Sequence, residues 1–266
     1  MIISHRYRYL FVEHPHTAST AIAAELTEHY DGQTVVTKHA NYADFLRQAS
    51  KEEKSYSVVI GTRNPLDRMA SLYFKLKNNH HGEYTDPSLF EENGGWVSLH
   101  VRKMFAYVQE NDASFADYYK QFYASRWAKS NQYIWFPRRY DYVIRYESIQ
   151  DDFAGFIKFI GAEQARPLPV VNKTSGKRDY LSIYTPEIRD NVVRQYGPYM
   201  AYWGYAFPED WNVGAAPWSS RLQFQTMNTI GRFFIEHLGL TPGDYSRLRK
   251  RLTRLVRARQ IAAAGS

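Results

Sequence analysis

The chain has 266 residues, 44% hydrophobic and 16% aromatic, and no cysteine, a composition that suits a core-forming protein and excludes disulfides and cysteine-ligated metals. Its formal net charge is +7, but residues 247–259 hold seven arginines and lysines and no acid, which leaves the remainder formally neutral. The charge therefore does not indicate a nucleic-acid-binding surface on the folded body, and no nucleic-acid partner is expected.

The predicted elements alternate between strands and helices along the chain. Apolar or alternating runs predict strands at 9–12, 32–40, 57–61 and 140–146. Helical periodicity and caps predict helices after residue 18, at 42–49, from 64 onward, at 101–127, at 153–160, from 185 to 197, and again from 218. Residues 76–100 are polar and glycine-containing, and we expect them to be irregular. This order predicts an α/β fold with a central, mainly parallel sheet flanked by helices.

Two regions are predicted, a main α/β domain over 1–210 and a helical C-terminal extension with a basic tail over 211–266. The tail carries Leu248, Leu252 and Leu255 along one side, with arginines around the rest. We interpret it as a terminal helix docked by its leucines; the alternative is a helix that contacts anionic lipid at a membrane surface. No apolar run approaches the roughly 20 residues that cross a bilayer. The N-terminus lacks a signal peptide's apolar core, so we expect a cytoplasmic protein.

Two strand–loop–helix units, at 9–30 and 57–74, carry the candidate chemistry. In a parallel sheet both loops emerge at the carboxyl edge of the strands, where ligands of such folds bind. The first loop brings small hydroxylated residues to a helix N-terminus, an arrangement that suits an anion. In the second unit Arg63 follows the strand and Ser71 lies two turns into the helix, so the two side chains can grip one phosphate. Taken singly, each has an ordinary capping or packing role.

The combined motifs resemble those of the sulfotransferases. "TRNPLDRMASLYF" resembles the segment that holds the 3′-phosphate of 3′-phosphoadenosine 5′-phosphosulfate (PAPS), and "HPHTASTA" resembles the loop around its 5′-phosphosulfate. "VIRYESIQDDFAGFIKFIGA" and the segment from 172 to 205 are similar to the closing part of the carbohydrate branch, which includes the Golgi glycan and heparan enzymes. The resemblance covers about residues 6–207 and implies a P-loop-like sulfotransferase fold, here in a bacterial member.

The resemblance assigns roles to residues of this chain. It implies that the donor PAPS, and the product PAP, are bound by backbone groups of Thr17, Ala18, Ser19, Thr20 and Ala21, by the hydroxyls of Ser19 and Thr20, and by the side chains of Arg63 and Ser71. Lys177 and Arg178, with Lys173, lie in a segment that in this fold closes over the nucleotide. His39 matches the heparan-type general base, which removes the acceptor hydroxyl's proton. The scheme requires no metal.

His16 stands where the family's first loop carries a lysine that stabilises the leaving phosphate. Three alternatives follow. His16 does this work as an imidazolium beside the phosphates; Lys38, next to His39, supplies the cation instead; or the site binds nucleotide and transfers sulfate poorly. The first ranks highest, and it predicts that activity falls as pH rises above roughly 7. His14 flanks the loop as a partner of His16 or as a structural residue.

The acceptor is expected to be a glycan, glycolipid or sugar-bearing metabolite. By resemblance, its contacts come from the variable middle of the chain, where candidate aromatic platforms are Tyr84, Trp96, Trp127 and Trp135. The adjacent His80 and His81 are interpreted as solvent-facing rather than as metal ligands.

Two other functions compete with the enzyme. One is a polyanion- or membrane-binding protein on an inactive sulfotransferase domain, and the other is a nucleotide-dependent kinase, disfavoured because no G-x-x-x-x-G-K-[ST] loop is present.

Overall fold

The computed structural model describes residues 1–40, 42–124, 140–169 and 179–238. Its centre is a five-stranded sheet with the strands β1 (Ile2–Ser4), β2 (Tyr9–Val12), β3 (Gln33–Thr34), β4 (Ser57–Thr62) and β5 (Tyr142–Arg145). Their spatial order is β3-β1-β2-β4-β5. The described residues form eight α-helices: α1 (Ser19–His29), α2 (Tyr42–Gln48), α3 (Pro65–Lys77), α4 (Leu99–Glu110), α5 (Phe115–Phe122), α6 (Ile149–Phe159), α7 (Pro186–Trp203) and α8 (Trp218–Leu238). The α/β class predicted from the sequence is confirmed.

The sheet is mixed rather than mainly parallel. β2, β4 and β5 run parallel, with Leu10 opposite Val58 and Ile60 opposite Val143. β1 pairs antiparallel with both β2 and β3. The link from β1 to β2 is four residues long, which permits only a hairpin return, whereas a parallel return needs a crossover of a dozen or more residues. The strand predicted at 32–40 shrinks to a two-residue edge strand.

Alternate residues of the central strands face two hydrophobic clusters, because side chains alternate across a pleated strand. Tyr9 and Phe11 face one cluster with α1 and α6, which contribute Ile22 and Phe156. Leu10, Val12 and Ile60 face the other cluster, with side chains of α2, α7 and α8. Helices on both faces leave the carboxyl edge of β2, β4 and β5 open for the loops that follow these strands.

A third cluster, rich in aromatics, lies among α3, α4, α5 and α7 beside the sheet. The single helix predicted over 101–127 is two helices here. Ser114 forms a capping box with Asp117, in which each side chain accepts from the other residue's backbone N–H, and this restarts the helix as α5. The irregular region predicted at 76–100 contains only short 3₁₀ turns before α4 begins.

The helix predicted to end at Gly197-Pro198 continues to Trp203, so that boundary was wrong. Pro198 removes one helical hydrogen bond and costs about 3 kcal/mol in a helix interior. Beyond it, Tyr199, Met200 and Trp203 are all buried in the body's hydrophobic clusters. Burial of three large side chains contributes roughly 1.5–3 kcal/mol each, which outweighs the proline.

The described part of the predicted C-terminal extension packs on the body. Trp211 lies in the aromatic cluster, and Phe224 of α8 packs with side chains beside the sheet. The basic tail lies outside the described residues, so its docking and its membrane contact stay predictions. Within the described ranges, no helix combines the length and the apolar character that a membrane crossing requires.

Candidate functional site

The loop between β2 and α1 has an unusual backbone. His16 and Ala18 both adopt left-handed conformations, with φ of 66° and 59°. Such residues turn main-chain N–H groups toward a common point, which is how backbone concavities bind anions. α1 begins at Ser19 without a side-chain cap, so its positive N-terminal end faces this loop. A left-handed non-glycine residue costs roughly 1–2 kcal/mol, and the surrounding contacts must hold it there.

The loop is held by contacts with β4 and by a hydrogen bond within the loop. The imidazole of His14 donates from Nδ1 to the carbonyl of Gly61 over 3.0 Å, since a carbonyl can only accept. Thr17 donates its hydroxyl to the His14 carbonyl over 2.9 Å and is buried, so this hydroxyl is used inside the loop. A Cβ on Gly61 would lie 2.6 Å from that hydroxyl oxygen, so the close approach needs glycine. Burial lowers the pKa of His14 to about 4, and the Gly61 hydrogen bond only partly opposes it. His14 is thus a structural residue of the loop.

The second loop is organised around Arg63, which is only 8% exposed. Its guanidinium donates to Ser71 Oγ over 2.6 Å, to Asp67 Oδ2 over 2.7 Å and to the His16 carbonyl over 3.0 Å. The predicted convergence of Arg63 and Ser71 is therefore present. The same arginine joins the second loop to the first, which the sequence did not indicate. Within the part of the chain that the structure describes, these bonds use three of its five N–H groups.

A third loop, after β5, completes this edge of the sheet. The guanidinium carbon of Arg63 lies 4.0 Å from the ring centroid of Tyr146, a cation–π contact. The next residue, Glu147, accepts the Asn64 backbone N–H over 2.7 Å and the Tyr205 hydroxyl over 3.0 Å. Asn64 in turn caps α3, as predicted, by accepting from the Leu66 N–H. The three carboxyl-edge loops form one connected unit.

The surroundings of His16 lower the pKa of its imidazole. Its side chain reaches solvent at the mouth of a concave cavity, and the surrounding protein still withdraws much of its hydration. Desolvation first, and then the charges of Arg68, Lys75, Arg63 and His39, lower the pKa of His16 to about 3. This shift favours a neutral ring at pH 7. The highest-ranked of the three alternatives concerns an imidazole beside bound phosphates, which raise the pKa, and it stays a prediction. The arginines and the lysine that lower this pKa lie near the loop and favour an anion there.

Lys38 and His39 reach the same loop from the segment after β3. Lys38 Nζ donates to the Thr20 hydroxyl at the start of α1 over 2.9 Å. His39 has a φ of 60° and places Nδ1 2.8 Å from the Glu13 carbonyl. Because a carbonyl only accepts, Nδ1 carries the proton, and Nε2 of the neutral ring is the basic nitrogen. A cation and a correctly tautomerised base thus flank the loop.

A cavity of about 320 Å³ opens beside His16, between α3 and α4. Two of the predicted acceptor aromatics, Tyr84 and Trp96, line it, as do Arg68 and Lys75 of α3. The other two, Trp127 and Trp135, lie outside the described residues, and so do Lys173, Lys177 and Arg178. The cavity lies at the small end of the range for ligand pockets.

The adjacent histidines after α3 differ in exposure, with His80 half-buried and His81 exposed. They contact each other, with ring centroids 4.0 Å apart. Within the described ranges, Glu25, Glu28 and His29 have ligand atoms close enough for a cation. Arg166 already pairs with both of those carboxylates, at 3.0 and 2.8 Å, and offsets one of their two negative charges.

Sequence reasoning missed several residues of this site. The pairing of Asp67 with Arg63 was not predicted. Tyr146, Glu147, Arg68 and Lys75 received no role at all. The arginine in R-N-P-x-x-R and the lysine seven residues later share a helical face, which is the one local signal that could have found the last two. Neither a family model nor a curated protein nor a solved structure matches the chain.

Proposed function

We propose that the protein is a sulfotransferase that moves a sulfuryl group from PAPS to a hydroxyl of a carbohydrate-type acceptor. The observation that carries the proposal is the contact of Arg63 with both Ser71 and the His16 carbonyl. It sets a phosphate clamp on the second loop directly against an anion-binding loop on the first. PAPS has phosphates at both its 3′ and 5′ ends, so one molecule can bridge the two loops.

The proposed reaction is an in-line displacement at sulfur. His39 Nε2 accepts the proton of the acceptor hydroxyl while the new oxygen–sulfur bond forms. The bond between sulfur and the bridging oxygen breaks, and its electron pair stays on the 5′-phosphate of PAP. Transfers of this kind depend mainly on positioning and on stabilising charge at the leaving oxygen.

We assign the leaving-group cation to Lys38 rather than to His16. Lys38 Nζ already lies on the Thr20 hydroxyl at the N-terminus of α1, whereas the pKa of His16 is lowered to about 3. The main-chain N–H groups of the loop hold the phosphosulfate, and His16 contributes its backbone conformation and its carbonyl. The loop therefore functions without the family's lysine at its usual place.

The test of donor binding compares ligands before it compares proteins. Isothermal titration with PAP and with ADP compares two nucleotides that each carry two phosphates, the second at the 3′ position in PAP and on the 5′ chain in ADP. We expect PAP to bind roughly tenfold or more tightly. Arg63→Ala is a poor variant because it would release both loops. Ser71→Ala removes one buried hydroxyl and should erase most of this preference, whereas Ser219→Ala, on exposed α8, should not. Equal binding of PAP and ADP would remove the sulfotransferase proposal's main support.

Turnover separates an enzyme from an inactive binding protein. With labelled PAPS and a panel of sugar acceptors, His39→Ala should lower kcat by roughly 10²–10⁴ and leave PAP affinity unchanged. Lys38→Met should lower kcat to a similar extent. If PAP binds tightly and no acceptor in the panel is sulfated, the protein is a nucleotide-binding module rather than a transferase. Transfer at the parent's rate in both variants would instead overturn the roles given to His39 and Lys38.

A further inference from the structure

The cavity beside His16 has an uneven charge. Among the described residues that line it, Arg68, Lys75 and two histidines are basic, and none carries a carboxylate. The pKa of Lys75 is lowered by burial, and the same cause lowers the pKa of Arg68. Glu83 offsets Lys75 only from outside the lining. Two partly desolvated cations in one small pocket favour an anionic group between them.

The lining also offers a flat apolar surface. Trp96 is 57% exposed, although it lies at the rim of a pocket. Its ring meets Tyr84 edge-on at 6.3 Å, and Tyr84 stacks on Phe105 at 5.5 Å. Tyr84 therefore supports the indole ring of Trp96, while part of that ring remains exposed to solvent. An exposed, supported aromatic ring beside polar groups is the usual form of a small-molecule site.

The cavity also adjoins the proposed chemistry. His16 belongs both to its lining and to the first loop, and the charge of Lys75 reaches His16 strongly enough to lower the pKa of that imidazole. A molecule held by the α3 cations would therefore present its other end to the loop. The volume of about 320 Å³ admits a small molecule, or the terminal unit of a larger one, but not a polymer segment.

We propose that the acceptor is a small hydroxylated molecule, or a terminal unit, that itself carries an anionic group such as a carboxylate or phosphate. Lys75 and Arg68 bind the anion, Trp96 packs against the apolar face, and the hydroxyl at the far end points toward His39. The role of this molecule as the acceptor rests on the proposed function. The anion-binding pocket stands on its own contacts.

The experiment measures binding of three sugars to the full chain by titration, with and without saturating PAP. The probes are methyl glucoside, which is neutral, glucuronate, which carries a carboxylate, and glucose 6-phosphate. We expect at least one anionic sugar to bind tenfold or more tightly than methyl glucoside. Lys75→Gln should abolish that preference. Lys103→Gln is the matched control, because Lys103 lies exposed on α4 and does not line the cavity, so the preference should persist.

The outcomes separate this proposal from the previous one. Equal binding of the neutral and anionic sugars, no binding of either anion at millimolar concentration, or an unchanged preference in Lys75→Gln would overturn the anion pocket. Failure of PAP to bind, together with Lys75-dependent binding of an anionic sugar, would overturn the sulfotransferase and leave the pocket. Trp96→Ala should weaken both charged and neutral sugars alike, since stacking does not depend on charge.

Discussion

Replacing His14 by asparagine should make the fold more resistant to acid. His14 is half-buried beside β4 and donates from Nδ1 to the Gly61 carbonyl. Asparagine can donate from its side-chain amide at nearly the same place, but it does not titrate. Burial lowers the pKa of His14 to about 4 in the folded protein, against about 6.5 in an unfolded chain. The substitution therefore removes the titration and keeps the hydrogen bond.

The sign follows from proton linkage. Between pH 6.5 and 4 the unfolded chain binds a proton at His14 that the folded protein refuses, so the free energy of unfolding falls as the pH falls. Below the folded pKa of about 4 both states are protonated and the loss levels off. A shift from 6.5 to about 4 corresponds to roughly 3 kcal/mol between pH 7 and pH 4. That is a large part of the stability of a typical domain.

The assay is urea unfolding followed by tryptophan fluorescence at pH 7, 6, 5 and 4. The parent protein should lose about 3 kcal/mol more than His14→Asn over this range. His81→Asn is the control: His81 is exposed, lies away from the sheet and has a φ of 53°, which asparagine tolerates. If the parent and His14→Asn lose stability in parallel, His14 is not held neutral by the fold and this reasoning fails.

Two further substitutions test the frame of the site. Gly61→Ala should cost about 1–3 kcal/mol, because its Cβ would meet Thr17 Oγ1 at 2.6 Å; a chemical denaturation midpoint equal to the parent's would contradict this. Asp67→Ala leaves Arg63 buried without its carboxylate and should cost about 3–5 kcal/mol, read as a fall in Tm. Asp112→Ala, which removes an exposed surface ion pair, should change Tm little. If Asp67→Ala and Asp112→Ala lowered Tm by similar amounts, the buried ion pair would not contribute more than the exposed one and the reasoning would fail.

The second strand–loop–helix unit could be predicted because its determinants are local. A continuous apolar run is β4, Asn64 caps α3, and Pro65 occupies the first helical position. Ser71 lies within reach of Arg63 because helical spacing alone brings the two together. No distant part of the chain is needed for any of these features.

The rest depends on partners far apart in sequence. Glu147 bonds to Asn64 across 83 residues, and no local pattern marks that pairing. The antiparallel β1 was missed because Ile2–Ser4 is only three residues long, too short for a clear periodic pattern. The lowered pKa of His16 could not be predicted locally, because it depends on charges that come from α3, from Arg63 and from the segment after β3.

The contacts of Arg63 have a consequence for how tightly the protein can bind. One side chain fixes the second loop, the first loop and the ring of Tyr146 in a single arrangement. The entropy of ordering these groups is lost during folding and need not be lost again when a ligand arrives. Association should therefore be rapid and close to rigid-body, with affinity limited by the quality of the polar contacts rather than by loop closure.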